Sequence, residues 1–71
     1  MFHVKHIKED NMNVEDLVNV LFWDVTIYLY DYDNVMIYAG TISMYPKGYY
    51  DTFKVIKIIP HEGYINVYIK Q

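Results

Sequence analysis

The sequence predicts an α+β domain in which one short N-terminal helix packs on one face of a four-stranded, mainly antiparallel sheet. Three observations lead to this fold: one segment with helical spacing of apolar residues, four β-rich segments, and short connections between the strands. At 71 residues, the chain has room for one small domain. Such a domain buries only about 60% of the surface that its unfolded chain exposes, so its core is marginal.

The helix is predicted over residues 14–22. Asn13 is a good N-cap, and Glu15 and Asp16 place negative charge in the first turn, where the helix dipole favours it. Apolar residues follow at helical spacing and form one stripe: Val14, Leu17, Val18 and Leu21. Because a helix of this length is unstable alone, it must dock on the sheet.

The strands are predicted at about residues 23–31, 35–44, 52–59 and 64–70. An Asp- and Asn-rich turn joins the first two strands, and a tight turn at residues 60–63 joins the last two. Gly40, at a change of alternation phase, predicts a β-bulge. Trp23 follows the helix directly and is interpreted as a core residue. The sequence gives neither the strand order nor the conformation of residues 46–51.

The nine tyrosines are not scattered evenly along the chain. Successive side chains of a strand point to opposite faces, so the first and last strands each have an aliphatic face and a tyrosine-rich face. The aliphatic set is predicted to form the core: Val25, Ile27, Leu29, Ile65, Val67 and Ile69. The opposite set forms one surface if the two strands are neighbours, and we call it the tyrosine face: Thr26, Tyr28, Tyr30, Tyr64, Asn66 and Tyr68.

The tyrosine face has three functional interpretations and one purely structural one. Tyrosine combines an apolar body with a polar tip, which suits a surface that is wet alone and buried in a complex. The face is therefore predicted to bind a protein partner or, alternatively, a second copy in a homodimer. A weaker alternative is single-stranded nucleic acid, because aromatic sheet faces can stack on bases. Cross-strand aromatic pairs also stabilise sheets without any partner.

Composition narrows these alternatives. The net charge is −3, and all six basic residues are lysines, which argues against nucleic acid because phosphate contacts supply most of its binding energy. The absence of cysteine excludes a disulfide framework and thiolate zinc sites. No apolar run approaches the roughly 20 residues of a membrane span, and no secretion signal is visible. We expect a cytoplasmic protein without membrane contact.

No pattern in the chain predicts catalysis. His61 and Glu62 lie in a predicted turn without a nucleophile or a pocket, and Ser43 lacks a nucleophile-elbow setting. His3 and His6 have no third ligand nearby, although metal sites need three or four. We therefore expect no enzymatic activity, no cofactor and no bound metal.

Residues 1–11 are predicted to form a flexible arm, and residues 12–71 a single domain. The first six residues, Met1 to His6, can be encoded by a perfect DNA palindrome similar to the chromosome-partition site that bacterial partition proteins bind. We hypothesise that residues 1–11 are translated from a DNA element rather than selected as protein, with Met12 as the true start. The coding sequence of these residues tests this hypothesis.

The domain also carries a combination of features that occurs elsewhere. The helix has apolar spacing, the first strand ends in an acidic turn, an Ile-Tyr-x-Gly stretch and a proline follow, and a Val-x-x-Ile strand precedes the last one. The residues are Val14, Leu17, Leu21, Asp31, Asp33, Ile37, Tyr38, Gly40, Pro46, Val55 and Ile58. In this pattern the chain resembles small uncharacterised proteins encoded by phages and mobile elements of Firmicutes. The resemblance implies a bacterial cytosolic setting and no catalytic residues. It favours an accessory protein that binds a host protein.

Overall fold

A computed structural model describes residues 12–71, and the predicted N-terminal arm lies outside the described residues. In chain order the elements are helix α1 (Val14–Val20), strand β1 (Thr26–Tyr30), strand β2 (Met36–Thr41), a 3₁₀ turn (Ile42–Met44), strand β3 (Lys54–His61) and strand β4 (Tyr64–Lys70). The four strands form one sheet in the order β2-β1-β4-β3. The central pair, β1 and β4, is parallel, and the two outer pairs are antiparallel. The structure confirms the predicted α+β fold.

Helix α1 begins with a capping box. The Asn13 side chain accepts a hydrogen bond from the Asp16 N–H at 2.9 Å, and the Asp16 carboxylate accepts one from the Asn13 N–H at 3.1 Å. The helix ends at Val20, two residues before the predicted end, because Leu21 has an extended backbone (φ −92°, ψ 149°). The sequence thus predicted the start of the helix better than its end.

The chain segment before β3 fixes the start of the helix in space. The N–H groups of Val14 and Glu15 donate to the carbonyls of Phe53 and Asp51 at 2.9 and 3.1 Å. These amides lie in the first turn, where no carbonyl of the helix itself can accept from them. The carbonyls just before β3 therefore accept the hydrogen bonds that the carbonyls of a preceding helical turn would otherwise accept.

The core lies between α1 and one face of the sheet. The buried residues come from the helix, all strands except β2, and the connection after β2: Val14, Leu17, Val18, Ile27, Leu29, Ile42, Tyr45, Val55, Val67 and Ile69. Val25 and Ile65, which were predicted with this set, are half-buried at its margin. The aliphatic phase of β1 and β4 is the core face, as the alternation predicts.

The predicted bulge at Gly40 is wrong. Gly40 pairs regularly with Ile27, and the register shift lies between Leu29 and Tyr30, where Ile37 is the extra residue of β2. The bulge at Ile37 is one cause of the phase change in the sequence. The other is that β2 ends at Thr41 and a 3₁₀ turn follows, whereas the strand was predicted to run on to residue 44.

Gly40 has a packing role instead. A Cβ at this position would lie 2.8 Å from the hydroxyl oxygen of Tyr38. That hydroxyl donates a hydrogen bond to the Thr41 carbonyl at 2.7 Å. Because Gly40 has no side chain, the Tyr38 ring can lie against this position and its hydroxyl can reach the Thr41 carbonyl.

A second bulge, in β3, brings two lysines to the same face. Lys54 and Lys57 are an odd number of positions apart, so simple alternation predicts opposite faces for them. The register shift between Val55 and Lys57 makes Ile56 the extra residue, and the two lysines pair with Lys70 and Tyr68 of β4. Both lysines consequently lie on the side of the tyrosine face.

The boundaries of the other strands differ modestly from their predictions. Strand β3 runs through His61 rather than ending at residue 59, and the turn to β4 shortens to Glu62 and Gly63, with Gly63 at φ 91°. Strand β4 lies where it was predicted. In the undecided segment, the N–H of Tyr49 donates to the Pro46 carbonyl at 3.2 Å, which makes a turn rather than a helix.

Trp23 is not a core residue. Strand β1 begins at Thr26, and the segment before it turns through a hydrogen bond from the Val25 N–H to the Phe22 carbonyl at 3.1 Å. This turn directs the Trp23 side chain outward, where 71% of it is exposed. No helix in residues 12–71 has the length and apolar character to cross a membrane.

Tyr45 is the one tyrosine of the described residues that belongs to the buried core. Its hydroxyl donates to the Asp51 carboxylate at 2.9 Å, and its ring meets the Tyr38 ring edge to face at 5.8 Å. Burial, followed by the hydrogen bond to Asp51 and the negative charge of that residue, raises the pKa of Tyr45 well above its ordinary value of 10.0. The folded protein therefore favours the neutral phenol.

This raised pKa predicts a loss of stability in alkali. Below about pH 10, Tyr45 is neutral in both the folded and the unfolded state, and above it the unfolded chain releases a proton that the folded protein retains. The free energy of unfolding should therefore fall as the pH rises past 10, and it should fall less steeply in Tyr45→Phe. Urea denaturation of both proteins at about pH 8 and about pH 11 measures the difference. The prediction is wrong if the free energy of unfolding falls by the same amount between these two pH values in both proteins.

Candidate functional site

The six residues of the tyrosine face lie together on the two central strands. In the parallel pair β1–β4, Thr26 is the partner of Tyr64, Tyr28 of Asn66, and Tyr30 of Tyr68. Strands β1 and β4 are neighbours, which is the condition on which this face was predicted, and all six side chains are half-buried. Helix α1 and the 3₁₀ turn contribute to the core on the opposite side. Within residues 12–71, no other helix or strand covers the tyrosine face.

The four tyrosine rings of the face contact one another in two pairs. The rings of Tyr30 and Tyr68 are stacked, with centroids 5.0 Å apart and planes 16° apart. This separation nearly equals the spacing of about 4.7–4.9 Å between neighbouring strands, so each ring turns its face toward the next strand. Tyr28 and Tyr64 meet edge to face at 5.1 Å. The four rings therefore form two aromatic pairs in one layer on the sheet.

Strand β3 adds two residues to this layer that the sequence interpretation missed. The Lys57 Nζ lies 4.8 Å from the centroid of the Tyr68 ring, and the His61 ring stacks on Tyr64 at 4.6 Å. Recognition of the β3 bulge would have indicated Lys57, since the bulge brings it beside Tyr68. His61 was assigned to a turn, whereas it is the last strand residue and the partner of Tyr64.

Asn66 occupies the middle of the face. Its amide nitrogen lies 3.3 Å from His61 Nε2, a contact in which a neutral imidazole protonated on Nδ1 accepts from the amide. Its Oδ1 atom is buried and has no hydrogen-bond partner in the described part of the chain. Because Ile59 and Tyr28 flank Asn66 on the neighbouring strands, the amide sits in a largely apolar setting.

The charge of the protein is distributed unevenly around this face. No aspartate or glutamate occurs in any of the four strands. The carboxylates of residues 12–71 lie in the helix and the connections: Glu15, Asp16, Asp24, Asp31, Asp33, Asp51 and Glu62. Lys54 and Lys57 of the edge strand β3 lie on the side of the tyrosine face. Lys70 of β4 shares that side, and its Nζ lies 5.1 Å from the centroid of the Tyr32 ring. The face is therefore neutral to positive in a protein of negative net charge.

A shallow depression lies at one end of the face. It has a volume of about 380 Å³ and is lined by Asp24, Val25, His61, Gly63, Tyr64 and Ile65. The lining mixes polar and apolar groups, and it connects the start of β1 with the turn between β3 and β4. Among residues 12–71, no group of three or more histidine, aspartate or glutamate side chains is placed to hold a metal ion.

The structure also exposes apolar residues that the sequence interpretation did not assign to any surface. Phe22, Trp23 and Met44 are the largest of these, with Val20 beside them in the chain. They lie outside the sheet, in the segment that joins α1 to β1 and in the 3₁₀ turn. The sequence does not indicate that these residues are exposed, because apolar residues between two regular elements are usually buried.

Together, the fold and the site describe a small α+β domain with one core face and one open, tyrosine-rich face. No protein-family model matches the chain, and no curated protein and no solved structure matches it. The resemblance to phage and mobile-element proteins accordingly stays a prediction.

Proposed function

We propose that this protein is a non-enzymatic binding module that holds a protein partner on its tyrosine face. The observation that carries the proposal is the layer of paired tyrosine rings on the two central strands. Such a layer offers apolar ring edges and hydrogen-bonding tips side by side, which is the surface chemistry enriched in protein interfaces.

The same geometry favours a protein over single-stranded nucleic acid. A base stacks on the face of an aromatic ring, as in the sheet surfaces that bind single strands. Here Tyr30 and Tyr68 turn their faces toward each other, and Lys57 and His61 lie against Tyr68 and Tyr64. These contacts occupy ring faces of Tyr30, Tyr64 and Tyr68 that a base would need, so the face suits the backbone and side-chain groups of a polypeptide better.

The chemistry of the partner follows from the charges around the face. Lys54 and Lys57 place positive charge at the β3 edge beside the rings, Lys70 adds a further charge at the end of β4, and the strands contribute no carboxylate. A partner that carries aspartate or glutamate at the matching edge is favoured electrostatically. The resemblance of the sequence would make this partner a protein of the bacterial host and place the contact in the cytosol.

Double replacement of Tyr28 and Tyr68 by serine tests the proposal. We expect tagged protein to capture a defined partner from a Firmicutes lysate, and the Tyr28→Ser/Tyr68→Ser variant to bind that partner at least about tenfold more weakly, since aromatic residues dominate interface energetics. The matched control is Tyr49→Ser, because Tyr49 is 70% exposed and lies in the connection between the 3₁₀ turn and β3, outside the strands that carry the face. Circular dichroism and thermal melting confirm that each variant is folded.

Three outcomes would contradict the proposal. In the first, the Tyr28→Ser/Tyr68→Ser variant is folded and retains both its solution mass and the captured partner. In the second, the wild-type protein is a dimer that this variant, but not the control, converts to monomer, which would assign the face to self-association. In the third, the protein binds a fluorescent single-stranded oligonucleotide with strong salt dependence and loses that binding in the variant.

A further inference from the structure

Four apolar side chains at one end of the molecule are unusually exposed. Their exposed fractions lie between 71% and 77%, and we call them the Phe22–Trp23 patch: Val20, Phe22, Trp23 and Met44. The two aromatic rings alone expose about 300 Å², since a fully accessible Phe or Trp side chain presents about 150–250 Å². A contiguous apolar area of a few hundred Å² or more on a small soluble domain marks an interaction site.

The backbone holds the patch in place. Helix α1 ends at Val20, and Leu21 turns inward to pack against the core. The Trp23 carbonyl then accepts a hydrogen bond from the Ser43 N–H at 2.9 Å, which ties this segment to the 3₁₀ turn that carries Met44. A surface fixed in this way loses little conformational entropy on binding, so its apolar area is available for affinity.

The chemistry of the patch selects its occupant. None of its four residues is ionisable, and the only charged residue directly adjacent in sequence is Asp24. No lysine adjoins it in sequence, which argues against attraction to an anionic membrane surface. A neutral apolar patch has no like charges at its centre, so it can face an identical patch across a two-fold axis while Asp24 stays at the rim.

We propose that a second copy of this chain covers the Phe22–Trp23 patch in a two-fold symmetric homodimer. A standard interface buries about 800 Å² per partner, and four residues exposed to this degree can supply the apolar centre of such an interface. The chain is short and has no cysteine, so oligomerisation is one of the few means by which it can bury more apolar surface. The tyrosine face remains free in this dimer, which would present two such faces to its partners.

The fluorescence of Trp23 gives a direct test, because it is the only tryptophan of the chain. As the concentration of the full chain rises through the micromolar range, we expect light scattering to show conversion from monomer to dimer. The Trp23 emission should shift to shorter wavelength over the same range as the ring leaves water. Phe22→Ser/Met44→Ser keeps the reporter and should raise the dimer dissociation constant at least about tenfold.

Two variants serve as controls. Tyr32→Ser/Tyr49→Ser removes aromatic surface elsewhere and should leave the dimer dissociation constant unchanged. Tyr28→Ser/Tyr68→Ser should also leave it unchanged, because the tyrosine face stays free in the proposed dimer. The proposal is overturned if the wild type remains monomeric with the emission of a solvent-exposed indole. It is also overturned if the dimer survives Phe22→Ser/Met44→Ser in folded protein. A monomer whose emission shifts only on addition of phosphatidylcholine vesicles would assign the patch to membranes instead.

Discussion

Replacement of Leu29 by alanine is expected to lower the free energy of unfolding by about 2–5 kcal/mol, the range for large-to-small changes in a core that cannot collapse around the cavity. Leu29 is fully buried on the central strand β1, between Tyr38 of β2 and Val67 of β4. A domain of this size has only about 4–11 kcal/mol of total stability. The variant should therefore lose a large part of this stability and unfold at a clearly lower urea concentration than the wild type.

Urea denaturation followed by circular dichroism measures this effect. Val35→Ala is the matched control, because Val35 is 53% exposed in the turn before β2. Its replacement should change the free energy of unfolding by no more than about 0.5 kcal/mol. If Leu29→Ala costs no more than Val35→Ala, the position of Leu29 at the centre of the core is wrong.

The faces of the two central strands could be predicted from the sequence because alternation is a local property. Each strand of the pair keeps its period of two without interruption, so Ile27 and Val67 fall on one side and Tyr28 and Tyr68 on the other. The start of the helix could be predicted for the same reason, since Asn13 and its capping partner Asp16 lie within one turn. Such features need no knowledge of which strands are neighbours.

What the sequence did not predict depends on contacts between distant segments. The parallel pairing of β1 and β4 follows from residues 42–53, which carry the chain from one edge of the sheet to the other. The bulges at Ile37 and Ile56 depend on register with a neighbouring strand. Glycine is a common bulge signal, but at Gly40 the approach of the Tyr38 ring explains it instead.

The candidate site shows the same division. All six residues of the tyrosine face were predicted by alternation, and their adjacency needed only that β1 and β4 be neighbours. Lys57 and His61 were missed because a bulge and a shorter turn bring them there. Trp23 was placed in the core because it follows the helix directly, although the turn before β1 leaves it exposed.

The docking of the helix makes the second large prediction. Leu17 lies on the buried side of α1 and is 6% exposed. An aspartate there would bury an unpaired carboxylate, which costs at least about 3–5 kcal/mol. The helix has only seven residues and cannot form without the sheet beneath it. Leu17→Asp should therefore release α1 and expose the core face, which would be seen as a non-cooperative melt and as binding of a hydrophobic dye.

The pH dependence of this variant separates charge from shape. Burial raises the pKa of an unpaired carboxyl, so the charge penalty at position 17 is largest above that raised pKa. It shrinks as the pH falls from there toward the ordinary value of about 4, and it is gone below about 4, where the folded and unfolded states are both protonated. Asparagine has nearly the same shape as aspartate but no charge. The loss in free energy of unfolding of Leu17→Asn relative to wild type should therefore not change with pH. Asn19→Asp places the same charge on the exposed side of the helix and should cost little. If Leu17→Asp and Leu17→Asn show the same deficit at every pH, position 17 is not buried against the sheet in the way that the packing of α1 requires.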